Sequence, residues 1–166
     1  FDFFTKYCCE NIEVLGVHTD GGLTEFLKVP LRKLHKSEIL EFDQLALIET
    51  LGIGYHAVQR SQITRNEKVL VIGAGPIGIA SAQFAKNEGA TVIMSDFSET
   101  RMNFVLNNSW CDSSLQAKGN LNEVALRDFL HGDLPDVIID ATGNKDSMLN
   151  TFDIISAGGR ITYVGL

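Results

Sequence analysis

The chain has 166 residues, 45% of them hydrophobic and 21% charged, enough for one well-cored domain or a domain with part of another. Its formal net charge of −7, with no basic run to reverse it locally, argues against a nucleic-acid or anionic-membrane partner. No apolar stretch approaches the ~20 residues of a membrane span, and the odd cysteine set of Cys8, Cys9 and Cys111 speaks against a disulfide framework, so a reducing, cytoplasmic setting is expected.

The first residues, Phe1-Asp-Phe-Phe-Thr5, carry no initiator methionine, signal-peptide pattern or helix start, and a fragment of a longer protein is expected. Ile12–Val17 and Leu23–Val29 read as strands bracketing His18-Thr-Asp20-Gly21-Gly22, and an Asp-Gly-Gly turn between alternating runs predicts a hairpin. This β-rich leader is too short to close its own core, which assigns residues 1–50 to the end of a second domain and its linker. Glu38 to Gln59 reads as helices joining the two regions.

From Lys68 the pattern becomes regular. Strand 68–72, helix 76–87, strand 91–95, helix 98–107, a weak segment at Cys111–Leu115, helix 120–131, strand 136–141, helix 145–156 and strand 160–164 follow in turn. Strands alternating with helices of this length call for a parallel sheet with helices on both faces. The expected fold of residues 51–166 is therefore α/β, a doubly wound parallel sheet of Rossmann type, ending before its last strand.

The chemistry concentrates in Val69-Leu-Val-Ile-Gly73-Ala-Gly75-Pro76-Ile77-Gly78, where an apolar run breaks into G-x-G-x-x-G and then a helical pattern. Gly73 turns tightly off the strand, Gly75 has no Cβ to obstruct a pyrophosphate, and Gly78 lets the helix pack closely. The helix start supplies unpaired N–H groups and a positive dipole end for phosphates, and Pro76 fits a first turn where no N–H is needed. Glycines at this spacing also occur in ordinary turns. Here, though, Asp96 closes the next strand 18 residues after Gly78, near the ~20-residue interval of a carboxylate that holds the adenosine ribose hydroxyls. An acid there repels a 2′-phosphate, favouring NAD over NADP; the plainer alternative is a loop carboxylate or helix cap. Arg101, on the helix opening at Ser98, either faces solvent or stacks on the adenine. Thr142 and Val164 leave the ends of later strands, where ligands bind in open α/β sheets, although tight strand–helix turns explain them equally well.

Several segments, in order along nearly the whole chain, resemble the zinc-dependent medium-chain alcohol and polyol dehydrogenases of the sorbitol, galactitol and threonine dehydrogenase type. They are Cys9-Glu-Asn-Ile12, Gly16-Val-His-Thr-Asp-Gly-Gly22 with Glu25-Phe-Leu27, Ala46-Leu-Ile-Glu49 with Leu51-Gly-Ile-Gly-Tyr-His-Ala-Val58, Val69–Gly78, Asp140-Ala-Thr-Gly143 and Gly158-Gly-Arg-Ile-Thr-Tyr-Val-Gly165. The resemblance implies a GroES-like catalytic domain before the Rossmann domain, an NAD cofactor, a catalytic zinc in the intact enzyme, a homo-oligomer, and a small-molecule alcohol or ketone substrate. It places Glu49 at a position that ligates the zinc or its water, and it lays Thr142 and Val164 against the nicotinamide half. It makes Cys9 the fourth ligand of a structural zinc. Two departures stand out: Thr50 replaces the proline of the pattern, and Phe1 stands eight positions before Cys9, where the pattern has a cysteine. The expectation is an NAD-binding fragment, inactive alone, of an enzyme interconverting a secondary alcohol and a ketone. Its rivals are a zinc-free NADPH-dependent reductase, disfavoured by Asp96 and Glu49, and a non-catalytic nucleotide-sensing module, disfavoured by the β-rich leader.

Overall fold

The computed structural model describes residues 11–165, so Cys9 and its expected zinc role lie outside the described residues. The chain divides into two compact units between Leu40 and Glu41.

In the larger unit, helix α1 (Phe42–Ser61) leads into strand β1 (Lys68–Ile72) and helix α2 (Pro76–Asn87). Strand β2 (Thr91–Asp96), helix α3 (Glu99–Asn107), strand β3 (Ser113–Gln116) and helix α4 (Glu123–Phe129) come next, before strand β4 (Val137–Asp140), helix α5 (Lys145–Ile154) and strand β5 (Arg160–Tyr163). All four strand pairings are parallel, in the order β3-β2-β1-β4-β5. This is the Rossmann arrangement expected from the β-α alternation. The weak segment at Cys111–Leu115 forms β3, paired Ile93 to Ser113 and Asp96 to Gln116.

The central strands β1, β2 and β4 are mainly apolar because both faces are covered, whereas β3 and β5 at the sheet's edges are more polar and only partly buried. Val69 and Val71 of β1 join Val92, Met94, Val137 and Ile139 in a core closed by Ala57, Val58, Ala82 and Val105. Leu70, Ile72, Ile93 and Ile138 point the other way and meet Leu126, Leu130 and Ile154. Successive residues of one strand thus feed opposite cores, as the two-residue period of a strand requires.

Helix starts follow their capping residues. Ser98 accepts from the Arg101 N–H, Asn122 from Val124 and Ala125, and Asn144 from Asp146 and Ser147. The stretch expected as joining helices is one uninterrupted helix, α1, running through Thr50. Threonine keeps the backbone N–H that a proline would remove, so nothing ends the helix there. Gly54 sets how closely α1 lies on α2: a Cβ added there would stand 2.5 Å from Ala80 Cβ and 2.8 Å from the Ser81 nitrogen.

The smaller unit departs from the hairpin expectation. Its described residues hold a turn in which the Val17 and His18 N–H groups donate to the Val14 carbonyl and the Val14 N–H donates to His18 Nδ1 at 3.0 Å. A single bridge joins Leu15 and Thr19, a short helical turn spans Leu31–Lys33, and Leu23–Val29 forms no strand. The physical reason is that no layer covers this segment among the described residues, where Val17, Leu23 and Phe26 are all exposed. A two-stranded ribbon with no surface to bury is marginal in water. Among the described residues no helix is long and apolar enough to cross a membrane.

One ion pair ties the larger unit's edge to its first helix. Arg160 on β5 donates to both Glu67 carboxylate oxygens at 2.7 and 2.8 Å and to the Ser61 carbonyl at 2.7 Å. Burial by itself would raise the Glu67 carboxyl, but hydrogen bonds from Arg160 and Thr64 and the Arg160 charge outweigh it and hold the carboxyl below its ordinary value. A lowered carboxylate contributes stability that is fully present above the unfolded value of about 4.3 and is lost as pH falls through the folded one. Glu67→Gln is expected to cost about 1 kcal/mol at neutral pH, the scale of a part-exposed pair, and to flatten part of the acid-side stability slope; urea midpoints at pH 7 and in the acid range check both.

Candidate functional site

The site forms where the carboxyl ends of β1, β2 and β4 meet. In the order β3-β2-β1-β4-β5, the chain leaves β1 in one direction to reach β2 and returns to its other side at β4. The connecting segments diverge there and open a crevice.

The glycine turn is the first wall. Gly73 has φ +100°, a left-handed region closed to most side chains, and its N–H donates to the Ser95 carbonyl at 2.8 Å. Gly78 is forced by close approach, since a Cβ there would lie 1.8 Å from the Gly73 carbonyl oxygen. The first turn of α2 therefore packs on the turn itself, with Val71 Cγ1 next at 3.6 Å. Gly75 differs from both: a Cβ there would meet nothing within 4 Å. It caps α2 without a side-chain acceptor, ahead of Pro76 at the start and Ile77 after it. The N–H groups of that first turn have no intrahelical partner, and the space above Gly75 is open to an anion.

Asp96, at the tip of β2, is the second wall. Its side chain is only 11% exposed. Oδ2 accepts from the Ala74 N–H inside the glycine turn at 2.7 Å, and Oδ1 accepts from the Ser98 N–H at 2.8 Å. The carboxylate thus joins the turn after β1 to the turn after β2, and each oxygen retains a further lone pair. Arg101 stands with Nη1 at 3.7 Å from Asp96 Oδ2 on a mostly exposed side chain, so it faces solvent while leaning on the acid.

The third wall starts at β4. Thr142 lines a cleft together with Gly73, Asp96, Phe97, Leu121 and Ser147. Val164 does not share it; with His56, Arg60 and Tyr163 it lines a separate concavity between α1 and β5. The two residues are connected through Asp140, whose side chain accepts from the Thr142 N–H and whose carbonyl accepts from the Val164 N–H at 2.9 Å.

Asp140 is the residue that motif reasoning passes over. It is fully buried at the end of an otherwise apolar strand. The available signal was an acid at a strand end followed by Ala-Thr-Gly, since a buried carboxylate has to find donors. Ser95 is a second such residue: its Oγ is buried without a hydrogen-bond partner among the described residues.

Glu49 lies exposed in the middle of α1. Among the described residues no three His, Cys, Asp or Glu side chains are grouped to hold a metal ion. The described part of the chain therefore supplies a crevice at the strand ends and groups no such set of metal ligands.

Comparison with known proteins agrees with this geometry. A family model described as zinc-binding dehydrogenase matches residues 76–166. The L-galactonate-5-dehydrogenase of Escherichia coli K12 is 41% identical over 159 residues, covering 96% of this chain and 46% of that protein. Sorbitol dehydrogenase of Bos taurus is 36% identical over 151 residues, or 89% of this chain and 42% of the relative. A solved alcohol dehydrogenase structure from Escherichia coli CFT073, complexed with NADH, superposes with a TM-score of 0.85 at 29% identity, covering 96% of this chain and 47% of that one. The chain thus spans about half the length of the relatives it matches.

Because a backbone carbonyl cannot move aside as a flexible side chain can, Gly78→Ala is expected to destabilise the protein by about 1–3 kcal/mol. Gly75→Ala, set in open space, is expected to stay within about 1 kcal/mol of wild type. Chemical denaturation of the two variants side by side checks the contrast.

Proposed function

The chain belongs to the zinc-binding dehydrogenase family, and from that premise we propose that it is the NAD-binding part of an enzyme that interconverts a secondary alcohol, of polyol or sugar-derived type, and its ketone. The observation that carries the reading is the glycine turn: open space above Gly75, bare helix-start N–H groups, and the Asp96 carboxylate bonded to the same turn.

In this reading the pyrophosphate lies over Gly73, Gly75, Pro76, Ile77 and Gly78, where backbone N–H groups and the helix dipole meet its charge. Asp96 accepts from the adenosine ribose hydroxyls with its remaining lone pairs and disfavours a 2′-phosphate. Arg101 neutralises part of that acid from the solvent side. Thr142, which the resemblance lays against the nicotinamide half, shares the cleft with Asp96 and in this reading belongs with the adenosine half instead, while Val164 stays with the nicotinamide half. When bound, the dinucleotide supplies the carbon that exchanges hydride with the substrate; this chain's residues bind and orient it.

A catalytic zinc belongs to the same reading of the intact enzyme. The described residues do not form a site for it, and Glu49, exposed on α1, is the one described residue we assign to its surroundings. We further read the intact protein as a cytoplasmic homo-oligomer. The buried free thiol of Cys111 suits a reducing compartment, and the outer edge of β5 is unpaired among the described residues.

Titration of the intact protein with NAD and NADP tests the reading. Wild type is expected to prefer NAD. Asp96→Ala is expected to weaken NAD binding by about 1–3 kcal/mol, the range for a charge-assisted hydrogen bond, and to narrow the gap to NADP. Gly75→Val is expected to abolish most NAD binding at unchanged stability. A wild type that prefers NADP overturns the assignment.

A further inference from the structure

The carboxylate of Asp140 is fully buried and takes three hydrogen bonds from the residues that follow it. Oδ1 accepts from the Thr142 N–H at 2.8 Å and the Thr142 hydroxyl at 2.6 Å, and Oδ2 accepts from the Ser147 hydroxyl at 2.5 Å. An ionised carboxylate can only accept, so both hydroxyl protons are committed inward. Thr142 Oγ1 accepts once more, from the Asn144 N–H at 3.0 Å, which leaves it one lone pair; Ser147 Oγ retains two. Both residues line the cleft that also holds Gly73 and Asp96. A hydroxyl on a free surface turns to suit its partner, whereas these two are held in one sense.

We propose that Asp140 is a positioning residue that makes this wall of the cleft acceptor-only, so that it selects an N–H or O–H donor on the adenosine half of the dinucleotide. The inference rests on the dinucleotide reading above. Two groups carry that chemistry, the exocyclic amine of the base and a ribose hydroxyl. A ligand acceptor placed there faces lone pairs on both sides and is rejected, which is specificity by repulsion as much as by attraction.

The test titrates the intact protein with NAD, with nicotinamide hypoxanthine dinucleotide, whose base carries a carbonyl in place of the amine, and with the 2′-deoxyadenosine analogue. Wild type is expected to bind at least one of the two analogues about tenfold more weakly than NAD. Because Asp96 also meets the ribose hydroxyls, the variant identifies the donor: Thr142→Val with Ser147→Ala is expected to lower NAD affinity by a similar factor and to shrink the penalty of one analogue, the hypoxanthine form if the donor is the base and the deoxyribose form if it is the ribose. Asp140→Asn, whose amide turns a hydroxyl proton back toward the cleft, is expected to lose the same preference, and combining all three changes is expected to add little further. Asp140→Asn also perturbs a buried carboxylate, so thermal midpoints accompany each titration. The two hydroxyl variants, at the cleft's border, keep the outcome separate from folding. Preference for NAD over both analogues surviving unchanged in the hydroxyl variants overturns the inference, as does a wild type that does not distinguish the three ligands. A wild type that binds no NAD overturns the dinucleotide reading instead.

Discussion

The contact between the start of α2 and the Gly73 carbonyl is the constraint on which the site depends. With 1.8 Å between that oxygen and the place of a Cβ on residue 78, the helix reaches its position only because residue 78 has no side chain. The close approach brings the N-terminus of α2 against the β1 turn and leaves open space over Gly75. A second glycine contact repeats the device one layer out, where Gly54 lets α1 settle on Ala80 of the same helix. The N-terminal half of α2 is thus held by missing atoms on two sides.

Around that turn the structure uses two acids in the same way. Asp96 and Asp140 end the strands on either side of β1, paired in register next to Ser95's partner Ile72 and directly with Ile72, respectively. Each carboxylate is mostly or wholly withdrawn from water and accepts backbone N–H groups of the turn that follows it. Burying a carboxylate is costly unless donors meet it, and loops at strand ends have N–H groups that no ladder satisfies. The two needs cancel. The result is anchored loops at the place where a parallel sheet puts its ligands.

The smaller unit shows the opposite case. Its apolar residues alternate as a hairpin would, yet Val17, Leu23 and Phe26 stand exposed and, among the described residues, the only bridge is Leu15 to Thr19. Alternation encodes a face but does not supply the surface against which it is buried, and strand formation depends on that surface.

The β-α order, the parallel sheet, the glycine turn after β1 and the acid at the end of β2 were all legible in the sequence. Each is local: a glycine spacing, an apolar run, or a residue at a fixed interval needs no knowledge of what lies across the sheet. Tertiary structure alone decided the rest. It put Thr142 with Asp96 and set Val164 apart beside α1, because strand order determines which loop ends share a crevice. It carried α1 unbroken through Thr50, left Glu49 away from any metal-sized cluster among the described residues, and turned Asp140 from a strand-end acid into the anchor of two loops. Those outcomes depend on which donors, carbonyls and side chains arrive from distant parts of the chain, and a one-dimensional pattern contains no distances between them.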